Sequence, residues 1–261
     1  MNILFTVCGR AGSKGLKNKN LKTMLGKPLV FYTLSAIDLF IKENNGKDTI
    51  HICASSDSKE LLECITSQTK IPVFTVNRSK ELSGDTVGKI AVIRDACVRA
   101  NEYYGVNHDV VIDLDITSPL RRVGDIINAY EKLISNSDFD IVFSVTGARR
   151  NPYFNQVKKN RDSDVYEVVV NAGFTTRQAA PEIYDMNASI YAYDGGYLIG
   201  STSDKLFDGR CSAVVMKDTA VLDIDSEEDF ELMEWLAQYF VEKDVDFRMV
   251  YDNINNLGGC A

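Results

Sequence analysis

The feature that most constrains this chain is a repeated alternation between short apolar runs and longer stretches with helical periodicity. Residues 2–8 and 49–55 are apolar runs of strand length, and each is followed by a stretch in which apolar side chains recur every three or four residues. Strands that alternate with amphipathic helices are typical of a mostly parallel sheet with helices on both faces. We therefore predict a Rossmann-like, three-layer α/β/α sandwich that binds ligands at the carboxyl ends of its strands.

The same patterns give the bounds of the predicted elements. Strands are predicted at residues 2–8, 49–55, 73–76, 109–114, 141–146, 188–193, 213–216 and 221–224. Helices are predicted at residues 28–42, 59–69, 86–104, 123–135 and 226–241. Residues 152–182 break the alternation, and their composition predicts an inserted hairpin that forms an oligomerisation arm. We interpret residues 1–261 as one domain that carries this arm.

Charge limits the classes of partner. The net charge of −8 argues against binding to nucleic acid or to anionic membranes. No stretch approaches the roughly 20 apolar residues of a membrane span, and residues 1–8 are too short for a signal-peptide core, so we expect a soluble cytoplasmic protein. The charge is unevenly distributed, because six cationic residues precede the first acidic residue, Asp38. Such a cationic segment can hold a polyanionic small molecule.

A glycine-rich loop within the cationic segment directly follows the first predicted strand. It reads Cys-Gly-Arg-Ala-Gly-Ser-Lys-Gly over residues 8–15, and Lys19 and Asn20 follow. Glycines let backbone N–H groups approach phosphate oxygens closely, and cations neutralise the phosphate charge. The spacing matches neither a Walker A loop nor the GxGxxG fingerprint. On spacing alone, the segment is either a phosphate-binding loop of another kind or a flexible loop.

A second polar cluster, Asp113-x-Asp115-x-Thr117, ends the strand predicted at residues 109–114. Its spacing matches the DxDx[TV] nucleophile of haloacid-dehalogenase-type phosphatases, and a bare DxD also suits a metal-dependent glycosyltransferase. A phosphatase carries this motif after its first strand, whereas here the first strand carries the cationic loop. Asp113 should lie inside the strand, so an aspartate with a structural role is the third alternative.

A third cluster is Asp223-Ile224-Asp225. Alternation along a strand places both carboxylates on one face, where they repel each other unless they share a cation. Mg²⁺ suits such a pair, because it binds to one or two carboxylates together with substrate phosphates. Taken alone, the motif also fits a helix cap and a solvated charge.

Together these clusters resemble one known family. The run Arg-x-Gly-Ser-Lys-Gly-Leu-x-x-Lys-Asn-Leu at residues 10–21 looks like the N-terminus of the acylneuraminate cytidylyltransferases, the CMP-sialic acid synthetases. Residues 117–121 are identical to the family's Thr-Ser-Pro-Leu-Arg, and residues 223–225 match its Asp-Ile-Asp. The resemblance covers roughly residues 2–230.

The resemblance implies a nucleotide-diphospho-sugar transferase fold and a homodimer. It also implies transfer of CMP from CTP to the C2 hydroxyl of a nine-carbon 2-keto sugar acid, with Mg²⁺ as cofactor on Asp223 and Asp225. The residues implied to bind the nucleotide are Gly9, Arg10, Ala11, Gly12, Ser13, Lys14, Lys19, Asn20 and Arg78. Those implied to bind the sugar are Asp115, Thr117, Ser118, Arg177, Gln178, Asn187 and Tyr191. The implied catalytic set is Arg10, Lys14, Lys19, Asp223 and Asp225.

One position departs from the family pattern. Asp115 stands where the sialate members have a glutamine that touches the sugar, so either the sugar differs or Asp115 helps to hold a metal. This departure favours a legionaminic or pseudaminic acid over N-acetylneuraminate. The alternatives are a cytidylyltransferase for keto-deoxy-octulosonate, a phosphatase that uses Asp113 and Asp115, and a non-enzymatic nucleotide or sugar sensor. The paired carboxylates at 223 and 225 argue against the sensor.

Overall fold

The computed structural model describes residues 1–12, 16, 18–84, 86–217 and 224–258. In these ranges the strands are β1 (Asn2–Cys8), β2 (Thr23–Met24), β3 (Lys27–Pro28), β4 (Thr49–Ser56), β5 (Phe74–Asn77), β6 (Val110–Leu114), β7 (Ile141–Gly147), β8 (Val157–Lys159), β9 (Tyr166–Val168), β10 (Tyr184–Asp194) and β11 (Cys211–Val215). The helices are α1 (Leu29–Asn44), α2 (Lys59–Gln68), α3 (Lys89–Tyr104), α4 (Val123–Ile134), α5 (Gly195–Gly200), α6 (Glu227–Lys243) and α7 (Val245–Asn253).

Seven strands form the central sheet in the order β11-β7-β10-β6-β1-β4-β5. Strand β1 pairs in parallel with β4 and β6, β4 pairs in parallel with β5, and β7 with β11. Among the described strands of this sheet, β10 alone runs antiparallel to its neighbours, β6 and β7. The chain between β7 and β10 contains no helix, and a return without a helical crossover gives an antiparallel neighbour. The predicted mostly parallel sheet is therefore confirmed.

Alternation along β1 divides the core into two layers. Ile3, Phe5 and Val7 pack into one apolar cluster with residues of α1, α4 and α7, whereas Leu4 packs into another with residues of α3 and α5. Successive side chains of a strand point to opposite faces, so a strand covered on both faces must be apolar throughout. This explains why the run at the start of the chain is apolar from Ile3 to Val7 except at Thr6, whose hydroxyl is satisfied by Asp113, and it confirms the three-layer sandwich.

The structure corrects several predicted elements. Helix α3 begins at Lys89, three residues after the predicted start at Thr86. Helices α5 and α7 were not predicted: α5 carries three glycines, which lower helix propensity, and α7 follows α6 after Asp244 alone. Asp244 ends α6 and begins α7, because its carboxylate accepts a hydrogen bond from the Phe247 N–H. Residues 221–223 of the last predicted strand lie outside the described residues.

The segment predicted as an arm contains a separate two-stranded sheet. Strands β8 and β9 pair antiparallel with each other and with no strand of the central sheet among those described. The paired residues are fewer than the predicted 152–182, because most of this segment is irregular. In the described part of the chain, no helix combines the length and the apolarity that membrane crossing requires.

Candidate active site

A cavity of about 330 Å³ opens at the carboxyl ends of β1, β5 and β6. Parallel neighbours end at the same edge of a sheet, so the loops after these strands meet there. The predicted site residues that line the cavity are Gly9, Arg10, Lys19, Asn20, Arg78, Asp115 and Thr117. The fold thus brings the glycine-rich loop and the Asp113–Thr117 cluster, which are about a hundred residues apart in the sequence, into one site.

Hydrogen bonds hold the first residues of the glycine-rich loop in place. The Gly9 N–H donates to the Ser55 carbonyl at 3.1 Å, and the Ala11 N–H donates to Asp57 Oδ1 at 2.7 Å. Asn20 is buried, and its amide donates to the Arg10 carbonyl at 3.2 Å. Asn20 therefore shapes the loop as well as lining the cavity. Of the other predicted loop residues, Gly12 is exposed, and Ser13 and Lys14 lie outside the described residues.

Cationic side chains dominate the charged part of the lining. Arg78 is buried, and its guanidinium donates to the Ser55 carbonyl at 2.7 Å and to the Ser55 hydroxyl at 3.3 Å. Arg10, Lys19 and Lys89 line the same cavity, and among its described lining residues Asp115 supplies the only carboxylate. An excess of positive charge in a partly enclosed site attracts polyanions such as a triphosphate.

Lys19 connects the first loop to the predicted metal-binding segment. Its Nζ atom donates to the Ile224 carbonyl at 3.0 Å and lies 3.2 Å from Asp225 Oδ1. The Asp225 N–H in turn donates to the Asp229 carboxylate at 3.1 Å, and Asp229 forms a capping box with Ser226 at the start of α6. This cap fixes the backbone that carries Asp225. Asp223 lies outside the described residues.

The residues around Asp225 fit a divalent cation. Two oxygens, the Ile224 carbonyl and the Asp225 carboxylate, already converge on the Lys19 ammonium, and the Asp225 side chain is 81% exposed. Oxygen donors that are open to solvent suit Mg²⁺, which takes its remaining ligands from water and substrate phosphates. The described residues contain no group of three or more acidic, cysteine or histidine side chains that could hold a metal alone.

Asp113 cannot reach a substrate. It lies within β6 with no exposed surface, accepts a hydrogen bond from Thr6 Oγ1 at 2.8 Å and pairs with Lys89 Nζ at 3.0 Å. The nucleophile of a phosphatase must contact the phosphorus atom that it attacks. The phosphatase alternative is therefore wrong for this chain, and the interpretation of Asp113 as a structural aspartate is correct.

Asp115 lies at the cavity wall in a dense set of polar contacts. Its Oδ1 atom accepts from the Thr117 N–H at 2.9 Å and the Thr117 hydroxyl at 2.8 Å, and its Oδ2 atom lies 2.8 Å from Lys89 Nζ. Burial raises the pKa of Asp115, but Lys89 and Thr117 outweigh burial and hold that pKa well below its ordinary value. Burial likewise opposes the charge of Lys89, yet Asp113 and Asp115 raise the pKa of Lys89 well above its ordinary value.

Arg121 holds the loop that carries Asp115. This side chain is buried and donates to the Ser118 carbonyl at 2.9 Å, to the Ser189 hydroxyl at 3.1 Å and to the Asp115 carbonyl. Burial lowers the pKa of Arg121 to about 10, so the side chain is charged at neutral pH. The last residue of the family-like Thr-Ser-Pro-Leu-Arg segment is thus a structural clamp for the backbone at Asp115 and Ser118.

The predicted sugar-binding residues fall into two groups in space. Tyr191 and Asp115 both contact Lys89, whose ammonium lies 4.9 Å from the centre of the Tyr191 ring and 2.8 Å from Asp115 Oδ2. Arg177 and Gln178 line a different cavity of about 810 Å³ near the hairpin, and no described residue lines both cavities. Gly147, at the carboxyl end of β7, also lines this second cavity, so the two cavities lie at the same edge of the sheet, but Arg177 and Gln178 do not reach the one that holds Arg10 and Asp115.

Asn187 and Ser118 lie in the protein interior. The Asn187 amide oxygen accepts from the Ser144 hydroxyl at 2.6 Å, and its backbone carbonyl accepts from the Ser118 hydroxyl at 3.3 Å. The next residue, Ala188, has a φ of 51°, where the family segment has a glycine, and the register of β10 against β7 shifts here. A direct contact between Asn187 and a sugar would require these interactions to break.

Sequence reasoning missed Lys89. The residue opens a helix and belongs to no motif, so a local pattern does not connect it to Asp113 or Asp115. The available signal was electrostatic, because two carboxylates at the end of a buried strand need a cation nearby.

Comparison with known proteins gives consistent matches. A family model described as cytidylyltransferase matches residues 4–245. Post-translational flagellin modification protein B of Campylobacter coli is 38% identical over 236 residues, which are 90% of this chain and 95% of that protein. CMP-N,N'-diacetyllegionaminic acid synthase of Campylobacter jejuni is 38% identical over 234 residues, 90% of this chain and 94% of that protein. Among solved structures, CMP:2-keto-3-deoxy-manno-octonic acid synthetase complexed with CTP has a similar fold, with a TM-score of 0.61 at 14% identity over 92% of this chain and 99% of that one.

Proposed function

The chain belongs to the cytidylyltransferase family, and on that premise we propose that it transfers CMP from CTP to a nine-carbon 2-keto sugar acid of the legionaminic acid type. The cavity at the carboxyl ends of β1, β5 and β6 carries this proposal, because it joins a cationic loop suited to a triphosphate with the Asp115–Thr117 loop. The similarity to a CMP-N,N'-diacetyllegionaminic acid synthase supports the choice of acceptor.

In the proposed reaction, the C2 hydroxyl of the sugar attacks the α-phosphorus of CTP. A new P–O bond forms to the sugar, the bond to pyrophosphate breaks, and the hydroxyl loses its proton. Such transfers depend on positioning and on neutralisation of charge more than on covalent help from the protein. Arg10, Lys19 and Arg78 line the cavity and would bind the phosphates. We expect Lys14 to act with them, as the family resemblance implies.

We further propose that Asp225 and the Ile224 carbonyl hold Mg²⁺, together with Asp223. When bound, the ion would neutralise charge on the phosphates of CTP. The convergence of both oxygens on the Lys19 ammonium supports this assignment, because it marks a point where a cation is stabilised. Lys19 would then turn its positive charge toward the leaving pyrophosphate.

The proposal also covers the oligomeric state of the protein and its location in the cell. We propose that the chain forms a homodimer through the β8–β9 hairpin, whose apolar side chains are exposed. We also propose that it acts in the cytoplasm, where CTP is made and consumed.

Pyrophosphate release tests the function directly. The assay contains CTP, Mg²⁺ and one sugar acid at a time: N,N'-diacetyllegionaminic, pseudaminic, N-acetylneuraminic or keto-deoxy-octulosonic acid. We expect release that depends on the sugar, is greatest with the legionaminic acid, fails with ATP and stops when EDTA is added.

Two variants assign the metal site in the same assay. Asp225→Asn should lower kcat by about a hundredfold, because charge neutralisation at the phosphates is weakened. Glu228→Gln removes an exposed carboxylate from the neighbouring turn of α6 and should leave the rate unchanged. Absence of pyrophosphate with every sugar acid would refute the transferase, and equal rates for both variants would refute the metal assignment.

A further inference from the structure

A lysine that the mechanism above does not use stands in the wall of the candidate active site. Lys89 Nζ lies 3.0 Å from Asp113 Oδ2, 2.8 Å from Asp115 Oδ2 and 4.9 Å from the centre of the Tyr191 ring. Its side chain is 31% exposed, and it lines the same cavity as Arg10 and Lys19. Lys89 therefore contacts the buried Asp113 and also Asp115 and Tyr191, the two residues that the family resemblance implies bind the sugar.

The hydrogen bonds of Asp115 leave room for one more donor. An ionised carboxylate offers about four acceptor sites, two on each oxygen. Within the described part of the chain, the Thr117 N–H and hydroxyl occupy Oδ1, and Lys89 alone occupies Oδ2. The Asp115 side chain is 24% exposed and lines the cavity, so the remaining acceptor site on Oδ2 is accessible to a substrate.

We propose, on the basis of the proposed function, that Lys89 and Asp115 form a specificity-determining pair for the sugar acid. Asp115 accepts a hydrogen bond from an amide N–H or a hydroxyl of the sugar, and Lys89 is the positioning residue that fixes the Asp115 carboxylate. A glutamine at this position would offer both a donor and an acceptor, whereas the ion-paired aspartate offers only an acceptor. The pair thus selects sugars that present a donor at this point.

Charge gives Lys89 a second effect on the same substrate. The sugar acid and CTP are both anionic, and an unpaired carboxylate in the wall would repel them. Lys89 offsets the charge of Asp115 without removing its acceptor site.

A purely structural role must be separated from a role in specificity, because Lys89 also compensates the buried charge of Asp113. The test therefore uses Asp113→Asn as its background, in which the Lys89–Asp115 pair remains. Adding Lys89→Met to this background removes the Lys89–Asp115 pair. The net charge of the three positions 89, 113 and 115 stays at the wild-type value of one negative unit, because one carboxylate and one ammonium are removed together. Arg94→Met is the matched control, because Arg94 lies on the same helix and pairs with Asp204 at 2.7 Å outside the cavity.

The measurements are kcat and KM for the sugar acid and for CTP. Relative to the Asp113→Asn background, we expect Asp113→Asn/Lys89→Met to lower kcat/KM for N,N'-diacetyllegionaminic acid by about ten- to a hundredfold, the usual effect of a lost hydrogen bond to a charged group. The KM for CTP should change by less than about threefold. Arg94→Met should change neither KM.

A pH profile gives a readout that a structural role would not affect. Without Lys89, burial should raise the pKa of Asp115, so the affinity for the sugar should fall as the pH drops from 8 to 5. The protein with Lys89 should keep its affinity over this range, because Lys89 holds the pKa of Asp115 low. Asp115→Asn, which leaves Lys89 paired with Asp113, should show the same loss of sugar affinity at every pH.

Each outcome is decisive. An unchanged KM for the sugar in both Asp113→Asn/Lys89→Met and Asp115→Asn would overturn the proposal, even if both variants are less stable. Should the double variant fail to fold, Asp115→Asn alone carries the test, with the same loss of sugar affinity expected. Failure of the wild-type protein to release pyrophosphate with any sugar acid would instead refute the proposed function.

Discussion

At the scale of single residues, space in the first loop explains why position 9 is a glycine. A Cβ atom at Gly9 would lie 2.5 Å from Leu61 Cδ2, 3.0 Å from Asn20 Nδ2 and 3.1 Å from Ile116 Cδ1. The backbone of Gly9 has no positive φ, so the requirement is for close approach and not for an unusual conformation. The Asn20 amide donates to the Arg10 carbonyl, so a Cβ atom that displaces Asn20 would also shift the backbone of the cationic loop.

We predict that Gly9→Ala destabilises the protein by about 1–3 kcal/mol through overpacking and raises the KM for CTP. Gly124→Ala is the control, because Gly124 lies in α4 with no atom within 4 Å of the added Cβ, and alanine favours a helix by roughly 0.5–1 kcal/mol. Urea unfolding and CTP kinetics check both variants. An unchanged urea midpoint for Gly9→Ala would contradict the packing argument.

At the scale of elements, a histidine pair ties β4 to α3 and to the start of β6. His51 Nδ1 and His108 Nε2 are 2.9 Å apart, and His108 Nδ1 is 2.6 Å from Asn101 Oδ1. Asn101 Oδ1 can only accept, so we assign the His108 proton to Nδ1, and neutral His108 then accepts from His51. The ring of His51 also stacks on Tyr104 with 3.8 Å between the ring centres. The pair lies at the amino ends of the strands, away from the candidate active site.

This pair predicts a loss of stability in mild acid. Burial, followed by the neighbouring His51, lowers the pKa of His108 to about 4, from an ordinary value of 6.5. Between pH 6.5 and 4 the unfolded chain binds the proton and the folded chain does not, so the free energy of unfolding falls as the pH falls through this window. From pH 7 to pH 5 we expect a loss of about 2 kcal/mol from His108.

Urea unfolding at pH 7 and pH 5 measures this effect. The His108→Asn protein should be less stable at pH 7 but should lose much less stability between the two pH values, because the titrating group is gone. An equal pH dependence in both proteins would assign the acid sensitivity to other groups. Pyrophosphate release at pH 7 should be unchanged, since the pair lies at the opposite end of the sheet.

At the scale of the whole molecule, the β8–β9 hairpin carries exposed apolar side chains that the other described residues do not cover. Val157, Val165 and Tyr166 are 57%, 61% and 60% exposed. A two-stranded hairpin of three-residue strands has marginal stability in water by itself. Burial of these side chains against a second copy would stabilise the hairpin, which supports its proposed role as a dimerisation arm.

We predict a solution mass of twice 29.1 kDa for the wild-type protein. Val157→Asp/Tyr166→Glu should give a monomer, because it places two charges in the predicted interface. Trp235→Glu is the control: Trp235 lies on α6 away from the hairpin and is 78% exposed. Sedimentation equilibrium distinguishes the cases, and dissociation by Trp235→Glu instead would move the interface to α6.

Local patterns predicted the elements that depend on local chemistry. The bounds of β1 match the prediction at both ends, because an apolar run followed by a glycine-rich loop records a strand and its termination. Helix α7 and the direction of β10 were not predicted. The first depends on a cap that Asp244 shares with the end of α6, and the second depends on a connection without a helix.

The sequence alone determined the layered α/β fold, the cationic loop after β1 and the family resemblance, since each is encoded in a short run of neighbouring residues. Only the tertiary structure decided that Asp113 is buried, that Lys89 pairs with Asp115, and that Arg177 lines a separate cavity. These facts depend on contacts between residues far apart in the chain. Such contacts are set by the order of the strands in the sheet and by the compensation of buried charge, neither of which leaves a periodic signal in the sequence.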